Sequence, residues 1–336
     1  MPTILSITAL FISFFITFAI LPFWIRKARY ANLLGQDINK FNKPKIPELG
    51  GICVISGFLV SLLFYVATRI FVHNSSQNLI YIFATIISIL VATIIGFVDD
   101  ILGWKIGLRA RYKIMLTFFI ALPIMVINAG HAEMAFPVLG YVNLGIIYPL
   151  ILIPVAVAGA SNGFNMIAGY NGLEAGQGII IITTLSVITY ILGDTYVSLI
   201  GAAMVMALLA FYIFNKHPAK IFPGDILTYP VGALIAIMAI LGNIEKYALI
   251  MFIPYFIELV LKSRGKLKKE SFAKVLSDGS LDNLYEKWYG IEHIVISMLK
   301  KVTGKATEKS VVYMIFLIQC LFAGAGLLLF YINNYI

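Results

Sequence analysis

The sequence predicts an all-α fold, a polytopic transmembrane helical bundle, on three grounds: its composition, the spacing of its apolar runs and the one-sided placement of its basic residues. Of 336 residues, 60% are hydrophobic and 12% charged, and the mean hydropathy is +0.94. A soluble domain carries about 25% charged residues, so half of the usual charge is missing and water is not the main solvent of this chain. The 27 glycines and the 13% of aromatic residues suit closely packed helices with interfacial rings. Cys53 and Cys320 both lie in apolar runs and suggest neither a disulfide framework nor a metal knuckle.

A bilayer core requires about 20 apolar residues per helix. About ten segments qualify, at 3–25, 50–71, 79–98, 114–129, 144–161, 178–193, 197–214, 226–242, 247–262 and 310–334. The first has no basic leader and no small-residue cleavage site, so it spans instead of being removed. The segments at 114–129, 178–193 and 247–262 are short and need flanking residues to complete a span. The loops after the odd-numbered helices hold 6, 4, 0, 2 and 11 basic residues, which is 23 of the chain's 25 and leaves only Arg69 and Lys246 elsewhere. The positive-inside rule places that side in the cytoplasm and both termini outside. The net charge of +9 is therefore topological, available to anionic lipid or phosphate and not a sign of nucleic acid. The expected location is the cell membrane, with a multi-pass chain. Residues 1–336 read as one integral-membrane domain, with 263–309 as a large cytoplasmic loop. Leu281–Lys301 within that loop is amphipathic enough for an interfacial helix. Asn74-Ser75-Ser76 forms a glycosylation sequon in an outer loop, where a chance tripeptide is an equal reading.

The polar residues able to do chemistry gather on the basic side. The third helix ends in Gly96-Phe97-Val98-Asp99-Asp100, followed by Lys105, Arg109, Arg111 and Lys113. Paired carboxylates at a membrane boundary need water, a cation or basic partners. Two aspartates at a helix C-terminus also oppose the macrodipole. The stretch Ser161–Gln177 has no basic residue but holds Asn165, Asn171, Glu174 and several glycines, and such a loop suits a base, a ribose or a metal. Phe222-Pro223-Gly224-Asp225 precedes the eighth helix, where Asp225 alone would read as a cap. The first loop carries Gln36 and Glu48 among lysines. His217 and His293 lack ligand-spaced partners, which argues against zinc. Hard oxygen donors with lysines suit Mg2+ and phosphate. The residues alone lead to a Mg2+–phosphate site at the membrane face, with phosphoryl transfer as its chemistry.

The segments GQDINK, KIPELGG, GFVDD, NGFNMIAGYNGLEAGQ and FPGD, in this order, resemble the polyprenyl-phosphate N-acetylhexosamine-1-phosphate transferases. The similarity covers most of the chain and is greatest to the eukaryotic and archaeal branch acting on UDP-GlcNAc and dolichyl phosphate. The resemblance implies Asp225 and Asn165 as Mg2+ ligands, with Mn2+ as a substitute. It implies Lys113 on the sugar-nucleotide phosphates, and Asp99 and Asp100 as the paired catalytic aspartates. It also implies Asn171 near the uridine, and Gln36, Glu48 and Glu174 along the nucleotide pocket. Two departures stand out. The loop before Lys113 is a few residues longer than in eukaryotic members. Their Arg-His-Arg stretch is replaced by Lys262-Ser263-Arg264-Gly265-Lys266, where Arg264 is the matching residue for the sugar.

The resemblance implies transfer of GlcNAc-1-phosphate from UDP-GlcNAc to dolichyl or another polyprenyl phosphate, releasing UMP, as the first step of lipid-linked oligosaccharide assembly. It is compatible with a homodimer. Another N-acetylhexosamine is an alternative donor sugar, and a covalent aspartyl intermediate is an alternative route. A transporter or flippase for lipid-linked or nucleotide sugars is the rival class, since intramembrane charges also mark transport paths. Against it stand helix centres nearly free of ionisable residues, Glu258 being the main exception, and a one-sided distribution of the polar residues.

Overall fold

The computed structural model describes residues 4–103, 110–136 and 140–335. Helices dominate, and each of the ten apolar runs is helical over most of its length. Among the described residues, six helices are long and apolar enough to cross a membrane: α1 (Ile4–Tyr30), α2 (Gly51–Phe71), α3 (Leu79–Leu102), α7 (Leu173–Leu192), α8 (Thr195–Asn215) and α13 (Glu308–Tyr335). The rest of the bundle comprises α4 (Ala110–Thr117), a 3₁₀ turn at Phe118–Ala121, α5 (Leu122–Val126), a π turn at Tyr148–Leu152, α6 (Ile153–Phe164), α9 (Asp225–Leu241), α10 (Glu245–Met251) and α11 (Ile253–Arg264). The chain is a polytopic helical membrane protein.

Three short runs are interrupted or displaced, each for a local reason. Pro123 and the 3₁₀ turn break the run at 114–129. Pro254 removes a backbone donor and separates α10 from α11. The run expected at 178–193 begins earlier, because Gly172 turns the chain at φ +85° and Leu173 already starts α7. Glu174 and Gln177, expected in a loop, are buried in that helix. The loop itself shrinks to 165–172. The expected interfacial helix at 281–301 is also shorter. Leu281 and Asp282 form β6 against β5 (Lys274–Val275), and α12 covers only Ile291–Thr303.

The all-α expectation needs a small amendment, since among the described residues three two-stranded hairpins join the helices. Besides β5–β6 they are β1 (Leu34–Gln36) with β2 (Lys45–Pro47), and β3 (Glu133–Phe136) with β4 (Gly140–Asn143). Packing follows membrane logic. Phe11, Phe15, Leu63, Ile94 and Leu321 face outward, where lipid would solvate them. Ser13 and Ser61 point inward and donate to the carbonyls of Ala203 and Ala9, both at 2.6 Å. Interhelical hydrogen bonds of this kind replace the hydrophobic drive that lipid removes. At the centre lies α9, buried along 226–240 and packed on α3 and α6. Its N-terminus meets the C-termini of both, so the fold gathers three helix ends at one end of the bundle.

Candidate active site

The site is built around the start of α9. Gly224 has φ +76°, and a side chain there would strike the Asp100 carboxylate. A side chain at Gly96 would likewise strike the backbone of Asp225 and Ile226. The glycines of GFVDD and FPGD thus let α3 and α9 touch, and Asp100 exploits the contact. Its Oδ1 accepts the Asp225 N–H at 2.9 Å and its Oδ2 accepts the Ile226 N–H at 3.0 Å. Asp100 thus caps, from 125 residues away, a helix whose own N-cap residue is Gly224, satisfying donors that have no partner within α9. Asp225 is not the cap, so its carboxylate is left for other work.

Adjacent residues of a helix diverge by roughly 100°, and the two aspartates differ accordingly. Asp99 is buried and forms an ion pair with Lys113. Lys113 also lies 3.2 Å from Asp225 Oδ2. One ammonium therefore bridges two carboxylates, from α3 and α9, and Asp99 and Asp225 are within hydrogen-bonding reach of each other. Asn165 ends α6 and leans over the first turn of α9, where its Oδ1 accepts the Thr228 hydroxyl at 2.9 Å. The Tyr229 hydroxyl lies beside Asn165. Thr228 and Tyr229 escaped sequence reasoning, although their positions three and four residues after Asp225 place them on its face of the helix. From the first loop, Glu48 approaches the cluster. Burial, and then the negative charge of Asp225, push its carboxyl above the usual range.

The remaining candidates lie apart. Asn171 is buried with every group engaged: its N–H donates to Glu308 Oε1 at 2.8 Å, its Nδ2 to Asp37 Oδ2 at 3.1 Å, and its Oδ1 accepts the Ala219 N–H at 2.8 Å. Glu174 accepts the Gly169 N–H at 2.8 Å and closes the 165–172 loop. Gln36 is exposed on β1, and Arg264 is exposed at the end of α11. Lys105 and Arg109 lie outside the described residues.

Among the described residues, no three of His, Cys, Asp or Glu converge closely enough to cage a metal with protein atoms alone. The donors present are hard oxygens from Asp99, Asp225 and Asn165, at a point where Lys113 is the cation in contact with both carboxylates. This set fits an ion bound by one or two carboxylates and completed by substrate phosphate, as Mg2+ commonly is. Beside it runs an apolar groove of about 610 Å³ between α4, α6, α9 and the α10–α11 pair. Ile114, Asn162 and Gly163 line its near end, next in the chain to Lys113 and close to Asn165. Ala236, Phe252 and Phe256 line it farther along.

Comparison with known proteins extends this picture. The sequence pattern of glycosyl transferase family 4 matches residues 82–243. A protein of Saccharolobus solfataricus, provisionally named a UDP-N-acetylglucosamine–dolichyl-phosphate N-acetylglucosaminephosphotransferase, is 39% identical over 95% of this chain and 94% of its own. The protein of that name from Dictyostelium discoideum is 30% identical over 73% of this chain and 68% of its own. A phospho-N-acetylmuramoyl-pentapeptide-transferase of Streptococcus pyogenes is 31% identical over 76% and 78%.

Proposed function

The chain belongs to glycosyl transferase family 4, and on that premise we propose the substrates, the metal and the membrane face of its reaction. It is a transferase that moves N-acetylglucosamine-1-phosphate from UDP-GlcNAc to dolichyl phosphate. The observation that carries this reading is the apolar groove beside the Asp99–Lys113–Asp225 cluster. A long isoprenoid tail would occupy the groove and bring its phosphate to the lysine.

In the proposed reaction an oxygen of the lipid phosphate forms a bond to the β-phosphorus of UDP-GlcNAc. The bond from that phosphorus to the bridging oxygen breaks, and the electron pair leaves on UMP. By analogy with phosphorylated side chains, the acceptor phosphate has a second pKa near 6 and is largely ionised at neutral pH. Positioning and charge neutralisation are then the main tasks. Lys113 offsets charge on the pyrophosphate. Asp99 pairs with the lysine and would orient or deprotonate the acceptor. Asp100 is committed to the backbone of α9 and serves by fixing Asp225. Asp225 and Asn165, with Asp99 adjacent, would hold Mg2+, which supplies charge neutralisation of the pyrophosphate when bound.

The basic loops support a cytoplasmic site in a cell-membrane protein with ten spans and both termini outside. The three helix ends that form the site, at Asp99, Asn165 and Asp225, all belong to that basic side. Asp225→Asn tests the assignment: UMP release in detergent with saturating Mg2+ should fall to near background. Activity close to wild type would remove Asp225 from the mechanism.

A further inference from the structure

We propose that Lys262 and Glu258 form a positioning pair that sets the Asn165 turn, and with it the cation site, from the end of α11. The inference rests on the reading of Asn165 and Asp225 as that site. Where α6 ends, its last carbonyls lose their helical partners. One turn follows, closed by the Met166 N–H on the Gly163 carbonyl at 2.9 Å, and the Met166 carbonyl, beyond the end of α6, takes a donor from a side chain. Lys262 fills that position, its Nζ donating to Met166 O at 2.7 Å. A charged donor makes this a stronger tie than a neutral one.

Lys262 is itself held. Glu258, one turn earlier on α11, places Oε1 at 3.5 Å from the ammonium. Its carboxylate is fully buried, and its other oxygen accepts the Ile291 N–H at 2.6 Å, capping α12. Oε1 also receives the Ser271 hydroxyl at 3.3 Å. The chain of contacts therefore runs from the start of α12 through Glu258 and Lys262 to the residue beside Asn165. Two neutral ties run parallel to it. Tyr170 donates to the Ser271 carbonyl at 3.2 Å. Asn39 donates to the Gly169 carbonyl at 3.0 Å and accepts the Ala273 N–H at 3.2 Å. Those two hold the far end of the 165–172 loop against the segment that follows α11. The lysine holds the near end, where the carboxamide of Asn165 must face Asp225. Its ammonium is spent on a carbonyl and a carboxylate of the protein, so its effect on the cation passes through Asn165.

The test uses the full-length protein in detergent and Mn2+ as probe, free Mn2+ being measured by electron paramagnetic resonance in the presence of UMP. Lys262→Met keeps the stem and removes the ammonium, and it should weaken Mn2+ binding about tenfold, as expected for a residue that orients a ligand. Lys262→Arg should restore binding to near wild type. Glu258→Gln should shift it in the same direction as Lys262→Met by a smaller factor. Lys262→Met alone leaves the buried Glu258 without its cation and should lower the metal-free melting temperature. In Lys262→Met with Glu258→Gln, where the buried group is neutral, that temperature should stay near wild type while Mn2+ binding remains weakened. Wild-type Mn2+ affinity in Lys262→Met would overturn the proposal, as would weakened binding matched by a lower metal-free melting temperature in the double variant. Wild-type affinity in Asp225→Asn, or no binding by the unmodified protein, would instead overturn the cation site on which the proposal stands.

Discussion

Two clusters at the same end of the bundle are built from the same kinds of residue and are finished differently. One joins Asp99, Asp225, Lys113 and Asn165. The other joins Asp37, Glu308, Lys40 and Asn171. Each has carboxylates bridged by one lysine, with an asparagine beside them. In the second cluster Lys40 pairs with Glu308 and lies 3.6 Å from Asp37, and Asn171 has its N–H and both ends of its carboxamide bonded. The carboxylates there are 4% and 3% exposed. In the first cluster Asp99 is 7% exposed but the Asp225 side chain is 19%, and Ile114, next in the chain to Lys113, lines the apolar groove. A polar cluster closed on itself rigidifies a fold, whereas one that keeps donors and acceptors open can bind. By this standard Asn171 belongs to the scaffold, although the resemblance implies a place near the uridine.

The largest expected effect comes from breaking the open cluster. Lys113→Ala removes the ammonium shared by Asp99 and Asp225. It should lower turnover on the order of a hundredfold, comparable to losing one preorganised donor at a transition state. A change confined to the lipid KM, with unchanged kcat, would remove Lys113 from the reaction. Breaking the closed cluster should act on stability instead. Asn171→Ala leaves the buried Ala219 N–H without its acceptor and takes from Asp37 its amide donor, leaving it Lys40 alone among the described residues, at about 1–3 kcal/mol for an orphaned buried group. The expected result is a clearly lower melting temperature, with KM for the nucleotide sugar close to wild type in the protein that remains folded. A raised KM at unchanged melting temperature would move Asn171 into the nucleotide pocket and dissolve the contrast drawn between the clusters.

How much of this was legible in the sequence depends on distance along the chain. The long apolar helices were readable because lipid demands continuous runs, and local composition alone reports them. The start of α7 was not, since Glu174 and Gln177 read as loop residues yet are buried in the helix, Glu174 tied to the Gly169 backbone. The residue types of the site were legible from GFVDD, the Asn-rich loop and FPGD. Their division of labour was not. Asp99 and Asp100 are indistinguishable as letters, and their roles separate only when α9 arrives to be capped by Asp100. Lys262 looked like one of eleven basic residues in a cytoplasmic loop. Its bond to Met166 spans 96 residues and has no local signature. Short hairpins such as β5–β6 carry too few residues to show a period.

The smallest expected effect concerns a third polar group, which sharpens the comparison by adding an acid that serves neither a closed ion-pair network nor the open site. Glu292 starts α12 and is fully buried. Burial, and then the nearby charge of Glu258, hold its carboxyl well above its ordinary value of 4.5. The folded chain thus retains a proton that the unfolded chain releases. Its contribution to stability is complete below the unfolded value and is lost as pH rises through the folded one. Glu292→Gln keeps the neutral shape at every pH. Its melting temperature in detergent should match wild type at acid pH and exceed it modestly at alkaline pH, the gap widening as pH rises. Curves that stay parallel across that range would mean that Glu292 is stabilised as a carboxylate. Glu258, Lys262 and Ser271 would then form a third closed network with it, like the one around Asn171.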